Sequence, residues 1–150
     1  MADLITTDLV DLSLEAADRH EAARVLATRL AAAGRVTDLE GFLADVRARE
    51  TQMATGIEGG IGIPHARSAH VTEPTLAFGR AVTGVDFEAE DGPADLIFLI
   101  AAPAEGDSEH ISILAALARR LIHASFKDAL RSAAAPQDVV DLINKEVLGR

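Results

Sequence analysis

The run LIFLIAAP, residues 96–103, carries no polar side chain. A strand with one solvated face alternates apolar and polar residues, so an unbroken apolar run of strand length predicts a central strand covered on both faces. That expectation narrows the fold to a layered one, with helices on either side of a sheet. The flanking sequence supplies the helices. From about Asp18 to Ala33, Ala22, Val25, Leu26 and Leu30 recur at helical spacing, and Gly34 falls where a C-cap belongs. From about Thr37 to Glu50, Leu39, Phe42, Leu43 and Val46 share a face, with Thr37 or Asp38 as N-cap. Beyond the apolar run, Asp107 or Ser108 can cap a helix from about Glu109 to Ile122, followed by helical pieces at about Ser125 to Ser132 and Pro136 to Leu148.

Further strands are expected at Leu9 to Leu14, at Ile61 to Ile63, and at Thr75 to Val82, the last broken by Gly84 and followed by a short extended piece at Val85 to Phe87. With helices at both ends and strands between, the expected fold class is α/β, a three-layer α/β/α sandwich with a mixed central β-sheet. The 150 residues suit one domain spanning 1–150, without internal repeat or linker.

Composition excludes several classes of function. The formal charge is -10 and aromatic residues make up only 3%, with no Trp or Tyr, so a basic surface and stacking platforms for nucleic acid are missing. There is no cysteine, hence no disulfide, thiolate nucleophile or cysteine-rich zinc site. The start MADLITTDLV lacks the features of a secretory signal and no apolar run is long enough to span a bilayer, which leads us to expect a soluble, intracellular protein.

The chemistry concentrates at GGIGIPHAR, residues 59–67. Gly59 and Gly60 permit a tight turn, and Pro64 pushes Ile63 toward extended geometry and is expected to end the strand at a rim, leaving His65 accessible on a stiff base. The plainer reading is a histidine in an ordinary turn. No G-x-S-x-G elbow marks a serine nucleophile, and the glycines at 56, 59, 60 and 62 lack the G-x-x-x-x-G-K-[ST] pattern of a phosphate loop. His65, His70, His110 and His123 could supply metal ligands, but H-x-x-x-x-H has the wrong spacing for two ligands on one helix face, and no carboxylate partner is evident. His20 and His123 are assigned to helices as solvated residues, and His70 to a loop. Arg49, His65 and His110 each end or begin an expected element, and such ends can converge on one rim of a layered fold. Imidazole is a nucleophile near neutral pH, a guanidinium can hold phosphoryl oxygens, and a second histidine can donate to the same group. Spacing alone does not bring the three together.

RETQMATGIEGGIGIPHAR, DFEAEDGPADLIFLIAAP and EHISILAALARRL, taken together and in this order, resemble the fructose/mannitol-type enzyme IIA domain of the bacterial phosphotransferase system, over about residues 5 to 148. The resemblance implies an α/β/α sandwich that accepts a phosphoryl group from phospho-HPr and passes it to an enzyme IIB component of an enzyme IIB/IIC permease. It further implies a cytoplasmic protein without cofactor or metal and without membrane insertion of its own. His65 matches the family's phosphoryl acceptor, reacting through Nε2 while Nδ1 is protonated and held by a backbone carbonyl. Arg49 matches the active-site arginine and His110 the second active-site histidine. Two positions depart from the family pattern: Glu58 stands where Gly or Ala is usual and would put a charge near the mouth of the site, and Gly62 stands where Ala is usual, as a smaller strand residue. A regulatory relative of the nitrogen type, acting through phosphorylation-dependent protein binding, is the alternative to sugar transport. AEDGPADLIFLIAAP looks closer to the fructose type, which favours transport.

Overall fold

In a computed structural model, which describes residues 3–105 and 109–149 without the side chains of residues 109–111, six strands form one mixed sheet. The strands are β1 (Val10–Leu14), β2 (Gly56–Ile57), β3 (Ile61–Gly62), β4 (His65–Ser68), β5 (Thr75–Val85) and β6 (Ala94–Pro103). The helices are α1 (Arg19–Ala32), α2 (Leu39–Gln52), α3 (Glu109–Leu121), α4 (Ala124–Ser132) and α5 (Pro136–Glu146). The order across the sheet is β1-β5-β6-β3-β2, with β4 also beside β6. β1 runs parallel to β5, β5 antiparallel to β6, and β3 and β4 both parallel to β6.

The apolar run is indeed the middle of this sheet: every residue of β6 from Leu96 to Ala102 is buried. The two faces of β5 show that helices cover both sides. A side chain at Gly79 would meet Leu26 of α1, whereas the next residue, Arg80, reaches across the opposite face to the carbonyls of Leu130, Arg131 and Ala133 at the end of α4. Since neighbouring strand residues point to opposite faces, α1 and α4 lie in different layers. Phe78 of β5 and Phe98 of β6 are directly paired, their rings 5.1 Å apart and tilted, filling the α4 side of the core.

Helix boundaries follow local chemistry. Asp18 and Asp38 accept from the backbone N–H of Glu21 and Gly41 and so cap α1 and α2, and Gly34 takes a positive φ just past α1. Pro136 opens α5 as expected. The expected caps of α3, Asp107 and Ser108, lie outside the described residues. Arg24 binds Glu40 through two hydrogen bonds of 2.7 and 2.9 Å, joining α1 to α2 and holding the Glu40 carboxyl below its ordinary range.

Three expectations are corrected. Gly84 does not break β5: the strand continues to Val85 through an irregularity in which β5 advances from Arg80 to Val85 while β6 moves only from Leu96 to Ala94. Residues 82–84 are exposed there, and a Cβ at Gly84 would lie 2.7 Å from that of Pro93, so the irregularity suits a glycine. Val85 therefore belongs to β5 and not to a separate piece. Second, Pro64 does not end the ladder. Its carbonyl accepts from the N–H of Ile100 at 3.0 Å, and the chain resumes as β4 beside β6. Proline is compatible because, among the described residues, β4 pairs with β6 alone, and none of these strands requires the missing N–H on the outer side. Third, His123 stands at the N-cap of α4 and not within a helix.

Candidate active site

β3 and β4 together form one interrupted strand along β6, and the interruption, Ile63-Pro64, sets the place and aim of His65. Ile61 and Gly62 pair with Leu96 and Ile97, and His65 to Ser68 pair with Ile100 to Pro103. The turn before β3 is pinned from the α4 layer. Arg131 binds both carboxylate oxygens of Asp95 at 2.8 and 2.9 Å and also donates to the carbonyl of Gly59; the hydrogen bonds to Asp95 raise the Arg131 pKa above its ordinary value. Gly59 and Gly60 both have positive φ, the backbone geometry that this turn demands.

His65 opens β4 and is half-buried. Its Nδ1 lies 2.8 Å from the carbonyl oxygen of Ile63. A carbonyl only accepts, so Nδ1 carries the proton and the neutral ring keeps its lone pair on Nε2. The bend at Pro64 makes this possible by letting the ring fold back on the residue two before it.

Around His65 lies a cleft of about 470 Å³, lined by Asp45, Ala48, Arg49 and Gln52 of α2, His65 to Arg67 of β4, and Leu114 of α3. It exists because β4 is an edge of the sheet, where both helical layers overhang a single strand. Arg49 stands in the last turn of α2, half-buried, and among the described residues makes no side-chain hydrogen bond or ion pair. It lines the same cleft as the histidine. The sequence-predicted pair His65 and Arg49 is thus brought together. His110 falls in the first turn of α3, but its side chain lies outside the described residues.

Other expected positions are elsewhere. His70 lies in a turn, 3.9 Å from Asp38 at the far end of α2, and His20 is on α1. Glu58 does not stand at the mouth of the cleft. It lines a separate concavity of about 750 Å³ with Gly56, Glu88, Glu90, Asp91 and Lys127. That concavity is the larger and the more open of the two, and no histidine lines it. Among the described residues no group of three His, Asp or Glu side chains could hold a metal ion, and no helix is long and apolar enough to cross a membrane.

Sequence reasoning missed Asp45, Gln52, Arg67 and Leu114 as cleft residues. The helical spacing of 45, 49 and 52 put the first two on the face of Arg49, and residue 67 shares a strand face with residue 65, had β4 been foreseen. Asp45 also accepts from the Ser68 hydroxyl at 2.6 Å, fixing α2 to β4.

Residues 3–146 match the family model described as phosphoenolpyruvate-dependent sugar phosphotransferase system, EIIA 2. The chain belongs to this EIIA family. It is 39% identical over 141 residues to the Haloferax volcanii PTS system fructose-specific EIIA component, covering 93% of this chain and 92% of that one. Among solved structures, the EIIA fold seen here is similar to the nitrogen regulatory protein IIA-Ntr from Neisseria meningitidis, with TM-score 0.85, 26% identity, and coverage of 93% and 96%. It is equally similar in sequence to a complex of enzyme IIA mannitol and phosphorylated enzyme IIB mannitol from Escherichia coli, with TM-score 0.79, 26% identity, and coverage of 97% and 98%. The protein is a phosphocarrier component of the phosphotransferase system.

Proposed function

We propose that residues 1–150 form one cytoplasmic EIIA domain in which His65 accepts a phosphoryl group from phospho-HPr and passes it to an enzyme IIB component. The observation that carries this reading is the 2.8 Å contact of Nδ1 with the Ile63 carbonyl, in a cleft that Arg49 also lines. The Nε2 lone pair attacks phosphorus in line, the N–P bond to the donor's histidine breaks, and that ring leaves as the neutral imidazole. The phosphorylated His65 ring gains positive charge, which the Ile63 carbonyl shares through Nδ1–H. Arg49 supplies donors to the non-bridging oxygens, where charge is concentrated. His110 is the second donor, and Leu114, four residues further along α3, lines the cleft, which supports that role. In transfer to enzyme IIB the acceptor's nucleophile attacks phosphorus, the Nε2–P bond breaks, and His65 leaves as the neutral imidazole.

Phosphoenolpyruvate with enzyme I and HPr should label the wild-type protein with acid-labile, base-stable phosphate, and His65→Ala should take up none. His110→Ala should still be labelled but transfer roughly a hundredfold more slowly, the loss expected when one transition-state donor is removed. Mass spectrometry that places the phosphate on His70 or His110, with His65→Ala labelled normally, would reject the assignment.

The alternative is a regulatory EIIA, favoured by the likeness to IIA-Ntr. The 39% identity to a fructose-specific component favours transport. Copurification of an enzyme IIB with the phosphorylated protein discriminates the two.

A further inference from the structure

Glu50 is a carboxylate only 4% exposed, one residue beyond Arg49 at the end of α2. Burying such a group is costly unless its oxygens are satisfied, so its partners are informative. One oxygen accepts from the N–H of Thr55 at 2.8 Å and the other from the Thr55 hydroxyl at 2.7 Å. Arg19 adds a positive charge, its Nε 4.0 Å from Glu50 Oε2. The connection then continues: the Thr55 carbonyl accepts from the N–H of Ile63 at 3.2 Å, and the Ile63 carbonyl holds His65 Nδ1 at 2.8 Å.

We propose that Glu50 and Thr55 are positioning residues for phosphoryl transfer, setting the place of the Ile63 carbonyl and through it the tautomer and aim of the His65 ring. The inference rests on His65 being the acceptor. Each bond is made by a different peptide unit, so the effect is mechanical. Thr55 is held at two points, the Ile63 amide is held by Thr55, and Pro64 removes the φ freedom that would let the carbonyl swing away. Because Glu50 adjoins Arg49 in the chain, the same carboxylate also registers the helix end carrying the cation against the strand carrying the nucleophile. A glutamine at 50 offers one acceptor oxygen where the site uses two, and a valine at 55 loses the hydroxyl while keeping the shape.

The test uses the full chain labelled with ¹⁵N. Imidazole ¹⁵N shifts of His65 in the neutral ring should report a single Nδ1–H tautomer in the wild type. Glu50→Gln and Thr55→Val should give a tautomer mixture, with phosphorylation by phospho-HPr slowed roughly tenfold to a hundredfold, the scale of lost second-layer hydrogen bonds. The loss should fall on kcat more than on KM, and Thr55→Ser should restore both readouts. Thr55→Val carries the test if Glu50→Gln does not fold. Folded variants that keep the wild-type tautomer and rate would overturn the proposal. The shifts are read without phosphate, so failure of His65 as acceptor would show separately, as labelling that survives His65→Ala.

Discussion

Arg80 is a single side chain that serves the sheet and a helix at once. Its Nε donates to the carbonyl of Leu12 in β1 at 3.3 Å, and its Nη1 to those of Leu130, Arg131 and Ala133 at 3.2, 3.0 and 2.9 Å. Those last carbonyls are the ones a helix leaves without partners, and a cation also complements the negative end of the helix dipole. Arg80→Met keeps much of the stem's packing but strands several acceptors, so a loss of about 2–3 kcal/mol is expected from unsatisfied, partly buried carbonyls. For a chain of this size that corresponds to a fall in Tm of roughly 5–10 °C. Arg80→Lys should recover part of it, because an ammonium keeps the charge but lacks the guanidinium's fork. Equal melting of wild type and Arg80→Met would show that these contacts contribute nothing.

At the scale of elements, Gly62 is more than a smaller residue. A Cβ built on it would lie 2.6 Å from the ring of Phe87, which is only 1% exposed, and one on Gly56 would lie 2.4 Å from the Phe87 carbonyl. The β2–β3 hairpin is therefore closed over by Phe87, and glycine at 62 is the complement of that aromatic. Gly62→Ala should destabilise by about 1–3 kcal/mol, the usual cost of overfilling a packed site. Combining it with Phe87→Leu should cost less than the sum of the two single changes in a urea-denaturation cycle, and strict additivity would refute the pairing. The same region shows why some elements were readable in the sequence and others were not. β6 and α1 declare themselves through composition, period and caps, all local properties. β2 has two residues and exists only by pairing with β3, and His-Ala-Arg-Ser becomes strand β4 because β6 offers it a ladder. His65 and Arg49 were legible as types and positions, but the Ile63 carbonyl was not, since it is selected by the bend at Pro64.

For the molecule as a whole, the formal charge of -10 and the two arginines lining the cleft act over different ranges. The net charge produces a field that extends about a Debye length and attracts a partner with a basic rim, whereas on the assignment proposed above Arg49 acts at contact on the arriving phosphoryl oxygens, and Arg67 donates to the Ala104 carbonyl at 2.9 Å. The cleft's apolar lining, Ala48, Ala66 and Leu114, with Met53 67% exposed just beyond α2, suits a small and short-lived interface. On the proposed assignment, donor and acceptor must each bring phosphorus to the same Nε2 of His65, so they take turns on this one surface. We expect backbone shift changes on adding HPr, and separately enzyme IIB, to centre on residues 45–53, 65–67 and 114. We also expect the association rate to fall by about tenfold or more between low salt and several hundred millimolar, as it does for steered encounters. Two separate footprints would refute the shared surface, and a rate insensitive to salt would refute steering while leaving the surface intact.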